Sequence, residues 1–305
     1  MAQPTSSQVH IDTAMTRVSI AYRNESYIAD QVFPIVSVNH QSDEYFVFDK
    51  GSWFRNEAGP RAPGTRGPQV EYSISSCTYA CRPISATKLV PDEIVANADS
   101  PLQPRRDATT FATDKLLLFM EKDVADTVFA ASTWTGSATP SPTWDDDASE
   151  PLDDVATARE SIVSTIGREP NVMVIGRNVW TDLKNHPDLL DRIKYTSPGV
   201  MSLELLAQLF EVDKVLVGNA IYTSTAENGS PTMEFIWGKN AWLGWVPGNA
   251  GLMVPAAGYI FAWKNRVIER FRREEEKTDA IRAEANYDVE VTSADAGYYM
   301  PSCVS

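Results

Sequence analysis

The chain has 305 residues, with 41 Asp and Glu against 27 Lys and Arg, for a formal charge of −14. A composition 43% hydrophobic, 22% charged and 10% aromatic supplies core material for one large domain or two small ones, and excludes wholesale disorder and low-complexity fibres. The negative charge excludes a protein whose main task is gripping phosphate backbones, which takes a surplus of Lys and Arg. The N-terminus, MAQPTSSQVH, lacks the basic-then-apolar pattern of a secretory signal. The longest nearly uncharged apolar stretch, Leu252 to Trp263, is broken by Pro255 and Gly258 and falls short of the ~20 residues that cross a bilayer, so no membrane partner is expected. Cys77, Cys81 and Cys303 are too few to staple the chain and suit a reducing compartment, so synthesis in the cytoplasm is expected.

Along the chain, residues 1–41 carry Ile11, Met15, Val18 and Tyr22 at helical spacing, then the apolar extended run Val32-Phe33-Pro34-Ile35-Val36. They read as an arm. In residues 42–90, Tyr45 to Phe48 is extended and aromatic. Gly59-Pro-Arg-Ala-Pro-Gly-Thr-Arg-Gly-Pro68 forbids helix and breaks any ladder. The alternation of Val70, Tyr72 and Ile74 with polar neighbours predicts a returning strand. This is a long two-stranded ribbon with a Gly/Pro tip, and two strands cannot cover their own apolar side chains.

Downstream, Leu117, Met120, Val124 and Val128 share a face of a helix predicted over Asp107 to about Ala131, with Asp107 as its N-cap. Every odd residue of Ile281 to Val291 is apolar and every even one polar, which predicts a strand about 36 Å long to match a helix of about 37 Å. Such a pair suggests an elongated layer of helix on antiparallel sheet. Between them, residues 146–257 read as a compact insertion. It has a helix from Pro151 to before Gly167, a strand at Asn171 to Ile175, helices at Asn178–Lys184 and Ser202–Phe210, and a strand at Lys214–Gly218. A hairpin of Met233–Trp237 with Ala241–Val246 about Gly238-Lys239-Asn240 closes it.

Chemistry-bearing patterns are scarce. His10, His40 and His186 stand in no nucleophile context such as GxSxG, and there is no phosphate loop, dinucleotide fingerprint or HExxH pair, so no catalytic residue, cofactor or enzyme activity is expected. In one strand Cys77 and Cys81 would lie ~13 Å apart, without a second pair to complete a zinc site, and no metal is expected. Asp145-Asp146-Asp147, Glu150, Asp153 and Asp154 lack a calcium-loop pattern and instead suit the positive end of the helix beginning near Pro151. Trp237, Trp242 and Trp245 could make a sugar platform, although hairpin core packing is the commoner fate.

One charge asymmetry discriminates. From Lys50 to Arg66 the ribbon carries Lys50, Arg55, Arg61 and Arg66 against the single acid Glu57, whereas Asp92 to Glu160 carries fifteen acids and five bases. A basic ribbon that cannot cover itself, on a chain with an acidic body, suggests that the ribbon of one subunit lies over the body of another. Lys50, Trp53, Phe54, Arg55, Arg61, Arg66, Val70 and Tyr72 are the candidate interface residues.

The run Tyr27-Ile-Ala-Asp-Gln-Val-Phe-Pro-Ile-Val, then Tyr45-Phe-Val-Phe-Asp-Lys-Gly with Trp53-Phe-Arg, the tip Gly59 to Pro68, and the ending Tyr287-Asp-Val-Glu-Val-Thr-Ser-Ala-Asp-Ala-Gly-Tyr resemble the major capsid proteins of tailed bacteriophages over nearly the whole chain. The resemblance implies an α+β phage major capsid fold. Residues 1–41 would be its N-arm, 42–90 its E-loop, 91–145 with 258–305 its peripheral domain (a long spine helix on antiparallel sheet), and 146–257 its axial domain. It implies self-assembly through hexamers and pentamers into an icosahedral shell, the virion capsid, which encloses double-stranded DNA without sequence-specific binding and is assembled in the host bacterial cytoplasm. Some family members begin with a scaffolding segment of about a hundred residues that is later removed. Here the arm meets the E-loop within about 41 residues, so a separate scaffold protein is expected, with a portal as a further partner. The alternatives are an encapsulin-like nanocompartment shell with the same fold and, from another class, a monomeric enzyme or carbohydrate-binding module.

Overall fold

A computed structural model describes residues 23–99, 102–193, 201–226, 229–251 and 253–305. The helical pattern at Ile11, Met15, Val18 and Tyr22 lies outside the described residues. In chain order the elements begin with α1 (Ala29–Val32), β1 (Ile35–Ser37), β2 (Ser42–Phe48), α2 (Lys50–Phe54), β3 (Ile74–Ala80), β4 (Arg82–Pro91), α3 (Asp92–Asn97) and α4 (Pro104–Val128). Next come β5 (Gly136–Ser137), α5 (Pro151–Ile166), β6 (Val172–Gly176), α6 (Arg177–Leu183), α7 (Pro187–Ile193), α8 (Leu203–Leu209) and β7 (Lys214–Gly218). The chain closes with β8 (Ile221–Thr223), β9 (Met233–Phe235), β10 (Ala241–Gly244), β11 (Tyr259–Arg273), β12 (Thr278–Glu290) and β13 (Gly297–Met300).

One layer is a four-stranded sheet in the order β1-β11-β12-β4, with β1 parallel to β11 and the other pairs antiparallel. The 25-residue helix α4 lies along β12 and β4. It approaches through Ala108, Ala112 and Leu116, which pack on Ile281 and Ala283. Short side chains on both surfaces let the helix sit low on the sheet, and this explains a departure from the expected face. Of the four residues the spacing favoured, Val124 and Val128 are fully buried and Leu117 and Met120 half-buried, whereas the first half of the helix is buried through Ala108, Ala112 and Leu116. The helix also starts three residues before the expected cap. Pro104 occupies its first turn and the Asp107 carboxylate reaches back to accept from the Gln103 backbone N–H at 3.3 Å.

A second layer is a five-stranded sheet, β5-β13-β10-β6-β7. In β6 every side chain is buried, the continuous apolar run of a strand covered on both faces. α5 packs across β13 and β10, and α6 and α8 sit beside β6 and β7. α5 runs from Pro151 to Ile166 and ends at Gly167, whose φ of 67° is the left-handed cap anticipated from the sequence.

One expectation is corrected here. The hairpin of 233–237 with 241–246 does not form: β9 pairs with β8, and β10 pairs with β6 and β13. Trp237 turns into the core between them, fully buried, so close to β7 that a Cβ on Gly218 would fall 2.1 Å from its ring. The segment 258–305 divides between the layers, with β11 and β12 in the four-stranded sheet. β13 inserts between β5 and β10, and the last residues are stitched to the same layer by Cys303 N–H to the Lys239 carbonyl (2.9 Å) and Trp144 N–H to the Cys303 carbonyl (2.6 Å). Residues 28–33, the described end of the arm, are seated on the body. Ile28, Ala29, Val32 and Phe33 are buried in the main core, because Phe33 has Trp242 to pack against, edge to face at 6.1 Å.

The polar clusters have local structural uses. Asp145 accepts from the Ser305 backbone and hydroxyl, and these hydrogen bonds, with one from Thr143, hold its carboxyl down to about 2. Asp146 accepts from the Ala148 N–H. These two carboxylates thus brace their own loop and the C-terminus instead of the end of α5. His186 caps α7: its Nδ1 accepts from the Asp188 N–H at 3.3 Å, while Nε2 lies 2.9 Å from Ser149 Oγ and 3.1 Å from the Asp146 carbonyl. With Nδ1 accepting, the proton is on Nε2, so this nitrogen is no base for Ser149. Trp237 and Trp242 are fully buried, which removes the sugar-platform reading.

Candidate assembly interface

The ribbon joins β2 and β3 in antiparallel register from Ser42 opposite Ala80 to Phe48 opposite Ile74. Its root rests on the face of the four-stranded sheet opposite α4. Tyr79 stacks on Phe261 with centroids 4.7 Å apart, Tyr45 lies 5.7 Å from the same ring, and Tyr79, Cys81, Tyr259 and Phe261 form a small buried cluster. Cys81 sits at the corner where β3 passes into β4, buried, while Cys77 is exposed on β3. The two thiols therefore do not share a strand face.

Beyond Phe48 the ribbon differs from the sequence reading. The returning strand begins at Ile74, so Val70 and Tyr72 lie in extended chain without a ladder. A short helix, α2, stands between β2 and the Gly/Pro tip. Asp49 caps it, accepting from Ser52 N (2.8 Å) and Ser52 Oγ (2.7 Å), and those bonds hold its carboxyl below the usual carboxylate range. α2 brings Trp53 back over the strands, so that Phe48, Trp53 and Tyr72 form a triangle of rings with centroids 6.0 to 6.2 Å apart. The two limbs of the tip run close together: a Cβ on Gly59 would lie 3.7 Å from the Pro68 ring and one on Gly67 3.7 Å from Arg61 Cδ.

The triangle does not bury itself. Phe46 is 70% exposed, Phe54 and Val70 64%, Tyr72 59% and Trp53 55%. Arg61 and Arg66 are exposed at the tip, and Arg55 pairs with Glu57 at 2.9 Å. Two of the eight candidate residues touch the body of their own chain. Lys50 Nζ donates to Asp295 Oδ2 at 2.5 Å, an ion pair that holds the Asp295 carboxyl low, and the Phe54 ring lies over Gly167. The finger therefore leans on its own body at its base, while Trp53, Val70, Tyr72 and the tip remain open. Phe46 and the partners Asp295 and Gly167 were missed. The alternation around Phe46 was a usable signal for the first, whereas nothing local marks the other two, which lie more than a hundred residues away.

An elongated helix-on-sheet layer, a second compact layer and a finger rooted on the first make up the fold, and solved structures share it. The fold matches a phage-related protein of Bordetella bronchiseptica RB50 at a TM-score of 0.70 (23% identity, 92% of this chain and 93% of the other). It matches the capsid structure of cyanophage P-SCSP1u at 0.64 (10% identity, 98% and 94%). No family model matches. In sequence the chain is similar to the major capsid protein of Burkholderia phage BcepMu, 30% identical over 94% of this chain and 95% of the relative. It is also similar to that of Pseudomonas phage JBD67, 27% identical over 76% and 75%. The chain belongs to the family of phage major capsid proteins. It is a structural, self-associating protein of the virion.

Proposed function

We propose that the chain builds an icosahedral shell around double-stranded DNA, and that the finger of each copy docks on the body of the next. The four-stranded layer with α4 acts as the peripheral domain and the five-stranded layer as the axial domain. The observation that carries the reading is the exposed aromatic triangle next to a basic tip, on a finger whose own chain covers only its base. Completing the burial of Phe46, Trp53, Phe54, Val70 and Tyr72 contributes about 1 kcal/mol per half-exposed side chain, on the order of 5 kcal/mol per finger before ordering costs. That is too little to hold a pair of subunits tightly, but it is multiplied over a closed shell in which each copy both gives and receives a finger. The body offers the opposite sign to the Arg61 and Arg66 tip, which fixes the register. Portal and scaffold proteins would complete the assembly, in the cytoplasm of the host.

The test is a double variant, Arg61→Glu with Arg66→Glu, beside Trp53→Ala. Both should leave the subunit folded by circular dichroism and abolish particles in negative-stain micrographs. Normal particles from both would refute finger docking. Particles of the unaltered chain that contain cargo enzyme and no DNA would instead favour a nanocompartment shell.

A further inference from the structure

We propose that each copy seats the base of its own finger with a two-point latch, Lys50 on Asp295 and Phe54 on Gly167, and that these two side chains are not exchanged with a neighbour. Its use in assembly rests on the finger docking proposed above; the latch itself requires one chain only. On the finger side both points come from α2. Lys50 and Phe54 stand four residues apart and so share one face of that short helix. Asp49 holds the helix at its start, accepting from Ser52 N, and its own N–H donates to the Ser73 carbonyl at 3.2 Å. α2 is thereby tied to both limbs of the finger, and whatever holds it sets where Trp53 and Tyr72 face.

On the body side the two targets belong to one braced seat. Asp295 lies in a 3₁₀ turn, Ala294–Ala296, between β12 and β13. Its Oδ2 accepts from Lys50 Nζ at 2.5 Å and its Oδ1 from Thr135 Oγ1 at 2.8 Å. The flanking carbonyls of Ala294 and Ala296 accept from the N–H groups of Thr135 (3.2 Å) and Trp245 (2.8 Å). Thr165 Oγ1 lies 3.2 Å from the Asp295 carbonyl, and two residues on Gly167 ends α5. Gly167 has no side chain to hold the ring off, and a Cβ there would stand 3.5 to 3.6 Å from the edge of Phe54.

The latch is light, since Lys50 stays 49% exposed and Phe54 64%. An exposed ion pair shifts an equilibrium only a few-fold. That suits a preset, which removes part of the ordering cost of docking without competing with it. The ribbon root is fixed to the same body by Tyr79 on Phe261 (4.7 Å) and by the Ala80 N–H on Asp288 Oδ2 (2.8 Å). Passing Lys50 to the Asp295 of another copy, as in a domain swap, would have to swing α2 away about that fixed root.

A carbodiimide, which joins a contacting amine and carboxylate with loss of water, tests the latch on the full chain. Equal amounts of 14N- and 15N-labelled chain are mixed, treated as free subunits and as particles, and read by mass spectrometry. The Lys50–Asp295 product should join peptides of the same label only, in both samples. Phe54→Ala should lower its yield about two- to fivefold relative to the product of Lys122 with Asp126, an ion pair within α4 at 2.5 Å that serves as the internal standard. Mixed-label products near half of the total, no Lys50–Asp295 product where Lys122–Asp126 forms, or a yield that ignores Phe54→Ala would each overturn the proposal. A failure of docking itself shows elsewhere, as normal particles from the Arg61, Arg66 and Trp53 variants.

Discussion

Glu121 offers the sharpest test of how the described part of the arm is held. Its side chain is 1% exposed in the middle of α4. Its carboxylate accepts from Ile28 N (3.0 and 3.1 Å), Ala29 N (2.9 Å) and Trp237 Nε1 (2.6 Å). It therefore joins the start of α1, the long helix and the turn after β9. Burial pushes the carboxyl above its ordinary range, and the Trp237, Ile28 and Ala29 donors oppose that rise without cancelling it. Glu121→Ala orphans three buried N–H groups at about 1 to 3 kcal/mol each, partly offset because a costly buried carboxylate goes with them. The net loss should be about 3 to 5 kcal/mol. Glu121→Gln keeps one acceptor oxygen and turns an NH2 toward the remaining donors, so it should cost roughly half as much. Urea unfolding followed by tryptophan fluorescence measures both, and limited proteolysis of residues 23–33 reports the arm. A Glu121→Ala loss below about 1 kcal/mol, or an arm no more readily cut than in the unaltered chain, would refute this account.

Two further outcomes follow from the packing. A Cβ on Gly176 would stand 1.9 Å from the Gly238 carbonyl oxygen, so Gly176→Ala must push β6 off the 237–240 turn and should cost about 3 kcal/mol or more in thermal unfolding. A variant as stable as the parent would mean this approach is looser than described. At the far end of the four-stranded layer, the buried Asp279 carboxylate takes Arg105 Nε and Arg270 Nη2, each at 2.8 Å, with Arg272 at 3.7 Å. Burial alone would raise Asp279, but the hydrogen bonds and charges of Arg105 and Arg270 more than offset it and hold its carboxyl below the usual carboxylate range. A lowered acid contributes stability above its unfolded value that disappears as pH falls through its folded one. Acid titration of the melting temperature should therefore show a drop below about pH 4 that Asp279→Asn lacks, with the variant several degrees less stable at neutral pH. Parallel curves for the two proteins would remove Asp279 from the acid response.

Where periodicity and punctuation were strong, the sequence was explicit. The ends of α5 followed from Pro151 and Gly167, and β7 from a short β-branched run, because propensity, caps and burial agree there. α4 was found, with Val124 and Val128 of its expected face buried, but the contact made by its first half was missed. Large side chains dominate any reading of hydrophobic spacing, whereas the contact with β12 is made by Ala108 meeting Ile281 and Ala112 meeting Ala283, and alanine carries little weight in such a pattern. β11 was missed because its second half, with Glu269 and Arg270 to Arg273, is too charged to read as a strand. It is held by its hairpin partner β12, with charges suited to an exposed strand. In the interface the aromatic and basic residues were legible as residue types. Their convergence was not, since Trp53 reaches Tyr72 only through a helix of five residues that Asp49 caps.

The sequence by itself determined the inventory: an α+β chain with a long helix, a compact insertion, and a finger too rich in Gly and Pro to fold on itself and too apolar to stand in water. These follow from local rules, in which each residue's preference is set by neighbours a few positions away. Only the tertiary structure decided that β13 returns to the five-stranded sheet and that Glu121 ties three distant segments together. It also decided that the Asp288 carboxylate ties β12 to the end of β3 beneath the finger's root. Those features depend on which buried polar group finds which donor once the layers have closed, and that pairing is settled by packing across hundreds of residues.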